Sequence, residues 1–134
     1  MSGEIAPDEI PSSDGIPNTC LNPARLFEDQ YICTGGQFYE LMAGHDRFNA
    51  DLRPNLDRVL EERGQHLGIC CHPYDVCTEL IARELGVSIV KPDGSRLDAS
   101  LDTTTPVAWV GYANTSLRSS IEPVLTEILT RFRL

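Results

Sequence analysis

From Leu26 onward, short apolar runs alternate with segments whose apolar residues recur every three or four positions. The strand-like segments lie at residues 31–33, 48–52, 67–71, 87–90 and 107–113. The helix-like segments lie at residues 37–43, 54–63 and 76–85, and from residue 116 onward. Strands separated by helices indicate a layered α/β domain. We expect helices that start near Asp75 and Ser116 to cover its central sheet.

The apolar stripes of the last two helices are the faces expected to pack on that sheet. The final helix-like segment contains Pro123, which removes a backbone donor and costs about 3 kcal/mol inside a helix. The regular part is therefore expected to begin near Ser120, with that serine as its cap. The apolar positions of the two helices are Val76, Cys77, Leu80, Ile81 and Leu85, then Leu117, Ile121, Val124, Leu125, Ile128, Leu129 and Phe132.

Residues 1–24 differ from the rest in composition. They hold four prolines and four acidic residues, and no basic residue occurs before Arg25. Such a segment buries too little apolar surface to offset the entropy lost on ordering. The sequence therefore predicts a flexible acidic, Pro-rich tail at residues 1–24 and one folded domain at residues 25–134.

The charge and cysteine content exclude several classes of partner. The 20 acidic residues outnumber the 11 basic ones, giving a net charge of −9, which argues against nucleic acid or an anionic membrane. No run approaches the roughly 18 apolar residues of a membrane span, and no signal peptide is recognisable. Five cysteines, an odd number, favour reduced thiols in a cytoplasmic protein over a disulfide framework.

Two junctions between a strand and a helix are candidate sites. At Thr34-Gly35-Gly36-Gln37, the glycines either simply make a turn or let free helix amides face an anion or hydroxyl. Asp75 either caps the helix that follows it or holds a hard cation such as magnesium.

The cluster Cys70, Cys71, His72 and Cys77 suggests two further chemistries. A zinc site is disfavoured because strand neighbours point to opposite faces and no CxxC pair occurs. A cysteine–histidine nucleophile has no feature that indicates a lowered thiol pKa. Buried, small, hydrophobic thiols are the simpler interpretation.

Four motifs in order resemble the carboxy-terminal half of the inositol monophosphatase family of metal-dependent sugar phosphatases. They are Thr34-Gly35-Gly36-Gln37 with Ala43-Gly44-His45-Asp46, Tyr74-Asp75-Val76-Cys77 with Arg83-Glu84-Leu85-Gly86, Pro92-Asp93-Gly94 with Leu97-Asp98, and Tyr112-Ala113-Asn114 with Leu117 and Ile121. The resemblance runs from about Arg25 to Leu134. It implies a fold like the carboxy-terminal domain of those enzymes.

The resemblance also implies roles for individual residues. Asp75 occupies the position of a magnesium ligand, and Asp51 lies in the segment that contacts substrate. The turn Thr34, Gly35, Gly36 and Gln37 matches the part of the family that binds sugar hydroxyls. The chain departs from the family in three ways: Tyr74 replaces a tryptophan, residues 54–64 look inserted, and the amino-terminal half with its paired glutamates and Asp-Pro-x-Asp-Gly-Thr motif has no counterpart.

Two functions follow as alternatives, and the sequence leaves open whether the chain is an enzyme. One is the substrate-side half of a Mg-dependent phosphomonoesterase for inositol or sugar phosphates, inactive or weakly active alone, with weak or absent magnesium binding and no catalytic residue of its own. The other is a non-catalytic binding or oligomerisation module. In either case, a missing domain is expected to expose apolar residues such as Phe38, Met42 or Trp109, so self-association or a second chain is predicted.

Overall fold

The computed structural model describes residues 33–66 and 70–134, all within the compact unit Tyr31–Leu134. The predicted tail at residues 1–24 lies outside the described residues. So do most of the predicted strand at 31–33 and the first three residues of the strand predicted at 67–71. The described end of the latter, Cys70 and Cys71, is not in a strand.

The described elements combine helices with a small sheet. There are four α-helices, one short 3-10 helix and three strands among the described residues, in the order α1 (Thr34–Met42), β1 (Phe48–Asp51), α2 (Arg53–Glu62), the 3-10 helix (Pro73–Val76), α3 (Glu79–Glu84), β2 (Ser88–Val90), β3 (Trp109–Tyr112) and α4 (Thr115–Phe132). The sheet order is β1-β3-β2, and both pairs are antiparallel. The mixed arrangement agrees with the predicted α/β class at this general level, and the strand predicted at 107–113 is confirmed as the central one.

Side chains of the central strand β3 pack on both faces of the sheet, and all four of its residues are buried. On one face, Trp109 packs edge-to-face on Phe38 of α1, with ring centroids 4.7 Å apart, and Ala82 of α3 joins the same cluster. On the other face, Val110 and Tyr112 pack against partly buried side chains of α4. The alternation of successive strand residues between faces therefore produces helix, sheet and helix layers.

The glycines predicted to end helices do so. Gly44 follows α1 with φ 75° and Gly86 follows α3 with φ 86°. This left-handed conformation is readily adopted by glycine and satisfies the last carbonyls of a helix.

The predicted start of the last helix near Ser116 is confirmed to within one residue, but the expectation that its regular part begins near Ser120 is wrong. Helix α4 begins at Thr115, and the Asn114 side chain caps it by accepting a hydrogen bond of 2.9 Å from the Leu117 amide. Pro123 lies inside the helix. Because Pro123 and Ser119 are both exposed, water can replace the hydrogen bond that the Ser119 carbonyl loses. That replacement, together with the cap, explains why proline does not break the helix.

The expected exposure of Phe38, Met42 and Trp109 is also wrong. Phe38 and Trp109 are 0% exposed, and Met42 is partly buried against the same cluster. The reason is that α1 folds directly over the face of β3 that carries Trp109, so the chain covers these residues itself.

The apolar face predicted for residues 76–85 is instead largely exposed. The segment begins as the 3-10 helix, and α3 is only six residues long. Ala82 is its buried residue, whereas Leu80, Ile81 and Leu85 are 54%, 56% and 65% exposed. A helix this short contacts α1 and β2 along one narrow line, which leaves its larger side chains in solvent.

Candidate functional site

Three of the candidate site residues, Thr34, Asp51 and Asp75, lie near Cys71. The Thr34 side chain hydrogen-bonds its thiol, and the carboxylates of Asp51 and Asp75 are close enough to act on it electrostatically. Burial, opposed by the Thr34 hydrogen bond and aided by the two carboxylates, raises the pKa of the Cys71 thiol to about 11. The thiol is therefore protonated near neutral pH and does not suit a nucleophile.

The segment Thr34-Gly35-Gly36-Gln37 forms the first turn of α1 itself. The Cys33 thiol caps it by accepting a 3.4 Å hydrogen bond from the Gly36 amide, and the Cys33 carbonyl accepts from the Gly36 and Gln37 amides. Neither Gly35 nor Gly36 has a positive φ, so this turn does not require glycine. Two of the amides expected to face a ligand are thus bonded within the helix.

Asp75 lies at the predicted helix start, in the 3-10 helix. Its Oδ2 accepts a 2.8 Å hydrogen bond from the His72 amide, and His72 Nδ1 lies 3.9 Å from the same oxygen. Asp75 therefore contributes to a cap, but as the third residue of the 3-10 helix whose N-cap is His72. The expectation that it caps the helix after it is wrong. Both contacts involve Oδ2, and the side chain keeps 22% exposure; its role as a metal ligand stays a prediction.

Asp51 is the most tightly held of the candidates, at 5% exposure. Its Oδ1 accepts from the Arg53 backbone amide (3.2 Å) and Nε (2.9 Å), and its Oδ2 accepts from Arg53 Nη2 (2.7 Å) and the Cys71 amide (3.3 Å). This carboxylate therefore joins the end of β1 to the start of α2 and to the chain at Cys71.

The surroundings of Asp51 keep it ionised. Burial alone raises the pKa of the Asp51 carboxyl, but hydrogen bonds from the Arg53 side chain and amide, the Arg53 charge and the Cys71 amide outweigh it and lower the pKa. Reasoning from the sequence missed Arg53 as the partner. The signal was present as the Asp-x-Arg spacing at the start of α2.

The carboxylate oxygens of Asp51 and Asp75 do not by themselves fit a magnesium site. Magnesium takes near-octahedral oxygen coordination, whereas both Asp51 oxygens are bonded to protein donors and one Asp75 oxygen serves as a cap. Within residues 33–66 and 70–134, no group of three or more His, Cys, Asp or Glu residues is arranged to hold a metal ion.

A second feature, not anticipated as a site, is an exposed apolar stripe on α4. Val124, Ile128 and Phe132 are 57%, 46% and 61% exposed, and their spacing of four places them in one row. We call these three residues the α4 stripe. They lie on the side of α4 that faces away from the core, since Ile121 and Leu125 pack against β3 and Leu129, next to Ile128, is 7% exposed.

The chain was compared with known proteins by family, by sequence and by structure. No protein-family model, curated protein or solved structure matches it. The resemblance to inositol monophosphatases therefore stays a prediction. Among the described residues, no helix is long and apolar enough to cross a membrane.

Proposed function

We propose that this chain is a self-associating interaction module and that the α4 stripe of one copy packs against that of a second copy. The proposal takes up the non-catalytic alternative that the sequence leaves open. It is carried by one observation, the row of three half-exposed apolar side chains on the longest described helix. Aligned apolar residues on a helix surface are the usual means of helix pairing.

The charges beside the stripe favour an antiparallel pair. Glu127 and Arg131 are exposed and, being four residues apart, lie on the same flank of the stripe. Within the described part of the chain, neither forms an ion pair. Residues on the same flank meet across antiparallel helices, whereas opposite flanks meet across parallel ones. Only the antiparallel arrangement brings Glu127 of one copy to Arg131 of the other.

The register follows from the spacing of the stripe. A two-fold axis at Ile128 brings Val124 of each copy to Phe132 of the other and Ile128 to itself, as an isologous contact requires. Glu127 and Arg131 then meet twice, once on each side of the axis. Since only three apolar side chains per copy contribute, the dimer is expected to be weak and concentration-dependent.

Sedimentation equilibrium of the full chain tests the proposal. Ile128→Glu is expected to weaken dimerisation at least tenfold, because it places two unpaired carboxylates at the two-fold axis. Ile81→Glu is the matched control, since Ile81 is similarly exposed but lies on α3, on the opposite side of the sheet. It is expected to dimerise like the wild type, and equal effects of the two substitutions would contradict the proposed contact.

The same preparations decide between this function and the phosphatase alternative. Magnesium-dependent hydrolysis of inositol or sugar phosphates by the purified chain, lost in Asp75→Asn, would replace the interaction module with an enzyme. The self-association proposal predicts no efficient turnover in either protein.

A further inference from the structure

A cavity of about 520 Å³ lies between α4, the segment 91–108 and Asn55 of α2. This volume falls in the range of roughly 300–1,000 Å³ typical of small-molecule sites. Much of its wall is the segment 91–108, a long connection between β2 and β3, and long connections often carry function. On α4 the cavity uses Thr126, Leu129 and Thr130, not the residues of the α4 stripe. The cavity and the α4 stripe are therefore formed by different residues.

The wall of the cavity provides an apolar surface. Leu97, Val107, Ala108 and Leu129 line it, and Val107 and Leu129 are each 7% exposed. A ligand with an apolar body would remove this surface from water, which is the main favourable contribution to binding in such pockets.

One lining residue has an unmet requirement for a hydrogen bond. Asn55 Oδ1 is buried and, within the described residues, has no hydrogen-bond partner. An unpartnered buried acceptor is costly, and a ligand that donates to it recovers that cost. The ligand is thus expected to carry an O–H or N–H group at the end that enters the cavity.

The lining also carries charges of both signs. Lys91 and Arg133 supply cations, and Asp93 and Asp98 supply carboxylates. Asp93, Asp98 and Arg133 are exposed, whereas Lys91 is half-buried and forms no ion pair among the described residues. Charges of both signs near solvent complement a zwitterion better than a simple anion, which the two carboxylates would repel.

We propose that this cavity binds a small amino-carboxylate with an apolar body and a terminal hydrogen-bond donor. The donor bonds to Asn55, the body packs on Leu97, Val107 and Leu129, and the ligand carboxylate pairs with Lys91. L-Tyrosine has all of these groups and serves as the probe.

Titration of the isotopically labelled full chain, followed by NMR, tests the proposal with matched ligands. L-Tyrosine is expected to shift the amide signals of Val107, Ala108 and Leu129. L-Phenylalanine, which lacks the hydroxyl donor, is expected to bind about five- to tenfold more weakly, the value of one hydrogen bond. Tyramine, which lacks the carboxylate, is expected to bind more weakly than tyrosine by a similar factor.

Two variants connect these preferences to named residues. Asn55→Leu is expected to abolish the preference for tyrosine over phenylalanine, and Lys91→Met the preference for tyrosine over tyramine. Gln65→Leu, an exposed amide that does not line the cavity, is the control and is expected to keep both preferences. Thermal melts establish that each variant is folded. Absence of shifts with millimolar tyrosine, or preferences that persist in Asn55→Leu and Lys91→Met, would overturn the proposal.

Discussion

Replacing Gly111 with alanine is expected to lower the free energy of unfolding by about 2 kcal/mol, a typical cost of overpacking a core. The added Cβ would lie 2.5 Å from Leu41 Cδ1, 3.1 Å from Ile89 Cδ1 and 3.2 Å from Trp109 Cζ3. All three neighbours are at most 5% exposed, so they cannot move aside without disturbing the cluster between α1 and the sheet. Denaturant unfolding measures the change.

Gly36→Ala is the matched control for this substitution. Its Cβ would meet only the Cys33 Sγ, at 3.7 Å, and Gly36 lies in α1 without a positive φ. Alanine in a helix is favoured over glycine by roughly 0.5–1 kcal/mol, so this variant is expected to be more stable than the wild type. A destabilisation equal to that of Gly111→Ala would contradict the packing described for β3.

The second large effect is expected at Asp51. Asp51→Ala removes the acceptor of the buried Cys71 amide and an anionic partner of Arg53. Because Arg53 is half exposed, the expected loss is about 2 kcal/mol, below the 3–5 kcal/mol typical of breaking a fully buried pair. Asp57→Ala, an exposed carboxylate of α2, is the control and is expected to change stability by less than about 0.5 kcal/mol.

The pH dependence of this contribution has a defined sign. The pKa of Asp51 is lowered in the folded protein from its ordinary value of 3.8. Ionised Asp51 therefore contributes its full stabilisation above about pH 4, and the contribution is lost as the pH falls through the lowered folded-state pKa. The stability difference between the wild type and Asp51→Ala should shrink between neutral pH and about pH 2. A difference that stays constant over this range would contradict the ionic role of Asp51.

The elements that could be predicted from the sequence are those set by local pattern. The strand at 107–113, the helix over Gln37–Ala43 and the helix end at Gly86 follow from periodicity and from glycine conformation. These features depend on residues within a few positions of one another. They need no knowledge of what packs on top.

Burial of each face could not be predicted in the same way. Periodicity shows that Leu80 and Ile81 share a helix side with Leu85, but it does not show whether another element covers that side. The outcome depends on which other segments pack on the helix, as the buried Leu129 next to the exposed Ile128 of α4 illustrates. Contacts between elements that are distant along the chain decide which helix face is buried. The exposed face of α4 is the one proposed to mediate self-association.

The candidate site likewise combines local contacts with contacts between segments that are distant along the chain. The contact of Asp75 with the His72 amide is local, and the sequence indicated a capping role, although it assigned Asp75 to the cap of the following helix. The placement of Thr34 and Asp51 beside Cys71 depends on contacts between segments distant along the chain, and no local pattern encodes it. Arg53, which pairs with Asp51, is only two residues away along the chain. An i, i+2 pair of opposite charges is nevertheless too common in sequences to indicate a buried carboxylate.

The most direct test of the central claim is charge reversal across the α4 pair, measured by sedimentation equilibrium. Glu127→Arg should weaken dimerisation, since it opposes two arginines at each of the two symmetric contacts. Combining it with Arg131→Glu restores opposite charges between the copies and should return the dissociation constant to near the wild-type value. A wild-type chain that stays monomeric at high concentration, or a double variant no tighter than Glu127→Arg alone, would contradict an antiparallel α4 dimer.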